Sequence, residues 1–132
     1  ELHGSAAHHH CTSCRASYPF DEIYATVKSG SVPKCTKCGG VIKPDIIFYG
    51  ENLDNSLLTR AYNAFSKADL AIALGTSLIV QPVASLVYTT ISRGGELVIV
   101  NRQSTPYDRN ATVRFDDLKE FSEALLAYLK AR

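Results

Sequence analysis

Hydrophobic positions in the second half of the chain follow two patterns, one helical and one extended. Leu57, Leu58, Ala61, Tyr62, Phe65 and Ala68 keep to one side of a helical repeat, and Asp54-Asn55-Ser56 ahead of them can cap such a helix. Leu70-Ala71-Ile72-Ala73-Leu74 is a continuous apolar run, the signature of a strand buried on both faces, and it ends at Gly75-Thr76-Ser77. Pro82 suits the first turn of a second helix, which carries Val83, Leu86, Val87 and Ile91 inward and stops at Gly94-Gly95. Leu97-Val98-Ile99-Val100 reads as a second buried strand ending in Asn101, and Thr112–Phe115 as a third. Asp117 with Glu120 resembles a capping box before a final helix through Leu118, Phe121, Leu125, Tyr128 and Leu129. Helices alternating with short apolar strands predict an α/β fold with a parallel sheet, equal to half of a doubly wound, Rossmann-like domain over residues 44–132.

The preceding residues follow neither pattern and are organised by cysteine. Cys11-x2-Cys14 and Cys35-x2-Cys38 are two tight turns, each able to place two thiolates on one side of a metal. Four sulfurs close a tetrahedron around Zn²⁺ with no open position, which makes the predicted site structural. A pair of disulfides is the alternative, but nothing in the sequence indicates the oxidising compartment in which they persist. Gly39-Gly40 would relieve crowding as the chain turns around the metal, and Tyr18–Lys28 reads as a short helix packed on the two knuckles. Residues 11–43 are therefore expected to form a small zinc-ribbon module. His8-His9-His10 are expected to be exposed linker residues, with adventitious metal binding beside Cys11 as the other use for three imidazoles.

Composition narrows the partners. The 132 residues carry Lys+Arg 14 against Asp+Glu 13, a formal net charge of +1, so no broad field points to nucleic acid or to an anionic membrane. The apolar runs are too short to span a bilayer, and no charged start followed by an apolar stretch marks a signal peptide, so the expected compartment is the cytoplasm.

Ligands of parallel α/β sheets bind beyond the carboxyl ends of the strands, which directs attention to Gly75-Thr76-Ser77 and Asn101-Arg102. A glycine followed by two hydroxyls offers donors to a phosphate or ribose, and Asn101 can pair with ribose hydroxyls. Gly-Thr-Ser is also a common turn and helix cap, and the chain has no G-x-G-x-x-G.

Several unrelated motifs then occur together in one order. His3-Gly4-Ser5, the paired Cys-x-x-Cys, the run from Lys43-Pro44-Asp45 through Gly50-Glu51-Asn52-Leu53, Gly75-Thr76-Ser77-Leu78 and Val98-Ile99-Val100-Asn101 closely resemble the sirtuins, the silent-information-regulator deacylases, in their bacterial form. The resemblance implies an NAD-dependent protein-lysine deacetylase that releases nicotinamide and O-acyl-ADP-ribose, with NAD⁺ as cosubstrate, structural Zn²⁺ and an acyl-lysine protein or peptide as partner. Residues 1–10 would be a catalytic-loop segment, with His3 the general base on a ribose hydroxyl, a role suited to an imidazole. Ile47, Phe48, Tyr49, Gly50, Glu51 and Asn52 would form the acyl-lysine loop. There Ile47 stands where the family has valine and Tyr49 where it has phenylalanine, and Val80 would approach from the other side. Gly75, Thr76, Ser77, Asn101 and Arg102 would contact the adenosine and phosphate half of NAD, with Arg114 and Phe115 bordering the adenine. The glycine-rich loop and Asn-Ile-Asp type segment that precede the histidine in the family are absent from these residues. The expectation is a fragment with little activity alone and an apolar sheet edge prone to dimerise or to pair with the missing segment. The competing reading is a zinc-ribbon interaction module with an α/β appendage and no catalysis.

Overall fold

The computed structural model describes residues 1–131. They form two compact units, one of Glu1–Asp54 and one from Asn55 onward. Among the described residues no helix is long and apolar enough to cross a membrane.

The first unit is a three-stranded antiparallel sheet with one helix. Strand β1 (Gly4–Cys11) lies between β2 (Ser17–Pro19) and β3 (Ile42–Ile46), and helix α1 (Phe20–Lys28) follows β2 directly. Its core is Cys11, Tyr18, Ile23, Cys35 and Ile42. That list is short and two of its members are cysteines, as expected of a module held by its sulfur cluster more than by apolar burial. Asp21 and Glu22 in the first turn of α1 and Lys28 in the last complement the helix dipole.

The sequence expectation for His8-His9-His10 is corrected here. These residues form the middle of β1, opposite Pro19, Tyr18 and Ser17 of β2. Successive strand residues point to opposite faces, so His9 is buried while His8 is exposed. The His9 ring lies 6.0 Å from that of Phe20. His10 Nδ1 is 2.7 Å from the Asp45 carboxylate of β3, a cross-strand bond that ties the two strands together.

The second unit is the expected parallel α/β layer. Helix α2 (Asn55–Phe65) leads into β4 (Leu70–Leu74); a 3-10 turn (Val83–Ser85) and α3 (Leu86–Ile91) lead into β5 (Glu96–Val100). After a loop containing a 3-10 turn (Asp108–Asn110) come β6 (Val113–Phe115) and α4 (Leu118–Lys130). The sheet order is β4-β5-β6, all parallel. Ala71 and Ala73 of β4 and Leu97 and Ile99 of β5 form one buried face, packed with Leu78, Ala84 and Val87 and flanked by Phe65 and Ile91. Thr90 is buried and donates through Oγ1 to the Phe65 carbonyl at 2.8 Å, which joins α3 to the end of α2. Gly95 is needed beside this contact: a Cβ there would lie 2.6 Å from the Thr90 methyl.

Strand β4 departs from the expectation of burial on both faces. Its residues alternate, with Ala71 and Ala73 buried while Leu70, Ile72 and Leu74 are 45%, 41% and 52% exposed. The helices that pack on this sheet cover the alanine face, and nothing among the described residues buries the other side of β4. The expected inward face of α4 is similarly open, with Leu118, Leu125, Tyr128 and Leu129 all exposed. Its contact with the sheet includes Phe121, whose ring lies 5.0 Å from that of Phe115.

Candidate functional site

The four cysteines meet as predicted. Their sulfurs lie within 4.8 Å of one another, with Cys11 to Cys38 at 3.5 Å and Cys14 to Cys35 at 3.6 Å. A disulfide would need about 2.05 Å. Tetrahedral Zn²⁺ with Zn–S near 2.3 Å sets sulfurs about 3.8 Å apart, so the cluster fits zinc. The backbone is shaped for it: Cys14 N and Ser13 N donate to Cys11 Sγ, and a Cβ on Gly40 would lie 2.9 Å from that sulfur. Tyr18 is the buried support, its hydroxyl donating to Cys35 Sγ at 3.1 Å and accepting from Thr36 N at 3.0 Å. That hydroxyl, with backbone N–H groups behind it, lowers the Cys35 thiol to about 6. At Cys38 the Gly40 N–H also pulls downward, but the three neighbouring sulfurs outweigh it and push the thiol up to about 12. Four sulfurs this close cannot all ionise without a cation between them, which is the electrostatic condition of a thiolate metal site. The neighbouring histidines do not enter the four-sulfur group.

The same sheet carries His3 and the Ile47–Asn52 segment. Gly4 pairs with Ile46 at the far end of β1 and β3, and Ile47 N donates to the His3 carbonyl at 2.9 Å. Gly4 has φ +80°, and a Cβ there would sit 1.8 Å from the Asp45 carbonyl oxygen, so no other residue fits. The His3 side chain is exposed. Beyond Ile47 the chain turns: Glu51 N donates to the Phe48 carbonyl at 3.0 Å, with Gly50 at φ +90° inside the turn. Phe48, Tyr49, Gly50, Glu51 and Asn52 are all exposed, Tyr49 at 92%. The Glu51 side chain folds back on this turn. Its Oε2 accepts from Lys43 Nζ and from Phe48 N, each at 2.8 Å, and these bonds hold the carboxyl below the usual carboxylate range. Lys43 also donates to the Ile46 carbonyl at 2.7 Å and lies 4.6 Å from the centre of the Phe48 ring. This role for Lys43 is not legible in the sequence, because it depends on a turn folding back on β3.

In the second unit the parallel register brings the predicted strand-end residues to one end of the sheet. Gly75 N donates to the Val100 carbonyl and Asn101 N to the Phe115 carbonyl, each at 2.9 Å. Gly75 has φ +61°, and a Cβ there would approach Leu118 Cδ1 to 3.1 Å. Thr76 Oγ1 accepts from Leu78 N at 3.2 Å, and Ser77 is half-buried. Val80 is partly exposed, its carbonyl accepting from Ala84 N. Asn101 donates through Nδ2 to the Gln103 carbonyl at 2.9 Å, and Arg102 is exposed. Arg114 and Phe115, as successive residues of β6, point to opposite faces. Arg114 reaches the strand-end loop, where Nη2 donates to the carbonyls of Asn101 at 2.6 Å and Gln103 at 2.8 Å. Its Nε lies 3.4 Å from Asp108 Oδ1, within ion-pair range but without hydrogen-bond geometry. Asp108 accepts from Thr105 Oγ1 at 2.7 Å, and this bond, with Arg114 beside it, lowers the Asp108 carboxyl. The guanidinium thus braces the loop from within.

Comparison with known proteins agrees with these motifs. Residues 1–82 match the model of the Sir2 family. An NAD-dependent protein deacetylase of Thermotoga maritima is 39% identical over 127 residues, 96% of this chain and 52% of that protein. Another, of Clostridium perfringens, is 44% identical over 117 residues, 89% of this chain and 46% of that protein. A solved Sir2–p53 peptide–NAD⁺ complex superposes with a TM-score of 0.92 at 38% identity, covering 100% of this chain and 55% of that one. A Sir2 structure bound to acetylated peptide gives 0.91 at 37% identity, with 56% of its chain covered. The chain thus spans about half the length of the curated relatives it matches.

Proposed function

Since this chain belongs to the Sir2 family, we propose that it carries the zinc module and part of the NAD-binding domain of an NAD-dependent protein-lysine deacylase. The observation that carries the reading is the 2.9 Å bond from Ile47 N to the His3 carbonyl, which joins the exposed imidazole and the exposed turn as neighbours in the unit that also bears the four cysteines. NAD⁺, when bound, supplies the ribose carbon that receives the acyl oxygen as nicotinamide leaves, with O-acyl-ADP-ribose as the second product.

This chain's own residues divide the remaining work. His3 takes a proton from a ribose hydroxyl, for which a solvent-reachable imidazole on a rigid strand start is suited. Ile47 offers its carbonyl to the amide of the acyl-lysine, Phe48 and Tyr49 flank the lysine stem, and Gly50, Glu51 and Asn52 present main chain to the peptide by strand addition. Val80 is a further substrate residue by its match to the family motif. Gly75, Thr76, Ser77, Asn101 and Arg102 receive the adenosine and phosphate half of the cofactor, Phe115 borders the adenine, and Arg114 holds the Asn101–Gln103 loop behind it. Zinc on Cys11, Cys14, Cys35 and Cys38 holds the module and takes no part in the chemistry. Reduced thiols around a metal suit the cytoplasm.

A polypeptide of residues 1–132 by itself is expected to bind NAD weakly and turn over little, pairing through the sheet edge at β4 with the rest of a sirtuin chain or with a second copy. The test is nicotinamide release from NAD and an acetyl-lysine peptide by the full-length protein. His3→Ala should abolish release and leave zinc content unchanged. A protein that holds zinc but releases no nicotinamide would be a non-catalytic zinc-ribbon module instead.

A further inference from the structure

Lys43 stands apart from every role assigned above, yet its ammonium makes three directed contacts at the proposed peptide-binding turn. Its Nζ reaches the Ile46 carbonyl, Glu51 Oε2 and the face of the Phe48 ring. Glu51 Oε2 in turn accepts the Phe48 N–H. An isolated surface ion pair contributes little. This one is part of a closed network with side chains only 28% and 42% exposed, and networks of charge-assisted bonds hold geometry better than single pairs.

The network decides which main-chain groups stay free. Ile46 C=O is taken by Lys43, Ile47 N by His3 C=O, Phe48 N by Glu51, and Phe48 C=O by Glu51 N. Among the described residues, no hydrogen bond engages the Ile47 carbonyl or the main-chain groups of Tyr49 and Gly50. An extended peptide that adds as a strand needs free groups of this kind, and it loses less entropy if they are already fixed. We propose that Lys43 is a positioning residue for the acyl-lysine peptide: through Glu51 it locks the Ile47–Glu51 turn in the shape that presents those free groups. The Glu51 carboxylate then serves the turn and not the substrate. This rests on the deacylase reading above.

The experiment compares Lys43→Met and Lys43→Arg with wild type in the full-length protein. It measures peptide KM and kcat, the melting temperature, and the exchange protection of the Phe48 amide. Lys43→Met is expected to raise peptide KM about ten-fold with kcat within about two-fold of wild type, the loss of roughly one charge-assisted bond. It should also expose the Phe48 amide to exchange without moving the melting temperature. Lys43→Arg keeps the charge and the donors and should restore both KM and protection. Unchanged KM and an equally protected Phe48 amide in Lys43→Met, with wild type active, would overturn the proposal alone. Absence of nicotinamide release by wild type would overturn the deacylase reading, and this proposal's substrate with it.

Discussion

Single atoms decide two of the positions described here. Gly4 combines a left-handed backbone with a Cβ path that ends 1.8 Å from the Asp45 carbonyl oxygen. Gly4→Ala therefore has to open the β1–β3 ladder next to His3, and a cost of at least about 2 kcal/mol in chemical denaturation is expected; a variant as stable as wild type would mean the strands can part there freely. Arg114 is the second case. Its Nη2 is bonded to two carbonyls of the loop that begins at Asn101, so Arg114→Ala should speed amide exchange across Asn101–Gln103 and weaken NAD binding by about five- to ten-fold in the full-length protein. If NAD affinity fell while the loop's exchange stayed at the wild-type rate, the guanidinium would be a cofactor contact and not a brace. Neither role could be read from the sequence: Gly4 was visible only within a motif, and Arg114 only as a residue that the family resemblance sets at the border of the adenine.

At the scale of elements, what could be read depended on whether the determinant was local. The cysteine pairs were legible because metal chemistry requires two ligands on one tight turn, and the parallel strands were legible from their apolar runs. Strand β1 was not, because Gly-Ser-Ala-Ala-His-His-His-Cys has no hydrophobic alternation to display. Its inward residue, His9, is chemically identical to its outward neighbours, so only pairing with β2 and β3 reveals the period. The error at β4 has the opposite origin. A run of five apolar residues states that both faces can be buried, not that this chain supplies both covers. Helix α4 depends strongly on its start, since none of its residues is buried. Asp117 caps it, accepting from Lys119 N at 2.8 Å and Glu120 N at 3.0 Å, and these N–H groups, that of Glu120 first, hold the carboxyl below its ordinary range. A depressed carboxyl stabilises the helix above the ordinary carboxylate pKa and stops doing so as pH falls through its folded value. Exchange in α4 should thus rise on acidification before exchange in β5, and Asp117→Ala should speed exchange in α4 at neutral pH and remove that pH dependence.

For the molecule as a whole, the two units differ in what holds them. The second has an apolar core of Ala71, Ala73, Leu78, Ala84, Val87, Leu97 and Ile99, whereas the first rests on five residues of which Cys11 and Cys35 are candidate ligands. A structural zinc contributes free energy on the order of 10 kcal/mol to folding, comparable with the whole stability of a small domain. Removing it should leave the first unit without enough burial to stay folded, because four thiols at mutual distances below 4.8 Å would have to separate or share protons. Protons work in the same direction, since the ligands must be thiolates and acid that protonates them competes with the metal. A strong chelator at neutral pH is therefore expected to abolish amide protection in β1, β2 and β3 while β4 and β5 keep theirs, and zinc added back should restore it. Simultaneous loss in both units would mean that the second fold leans on the first, and survival of β1–β3 protection after the metal is gone would mean that Tyr18, Ile23 and Ile42 suffice without it.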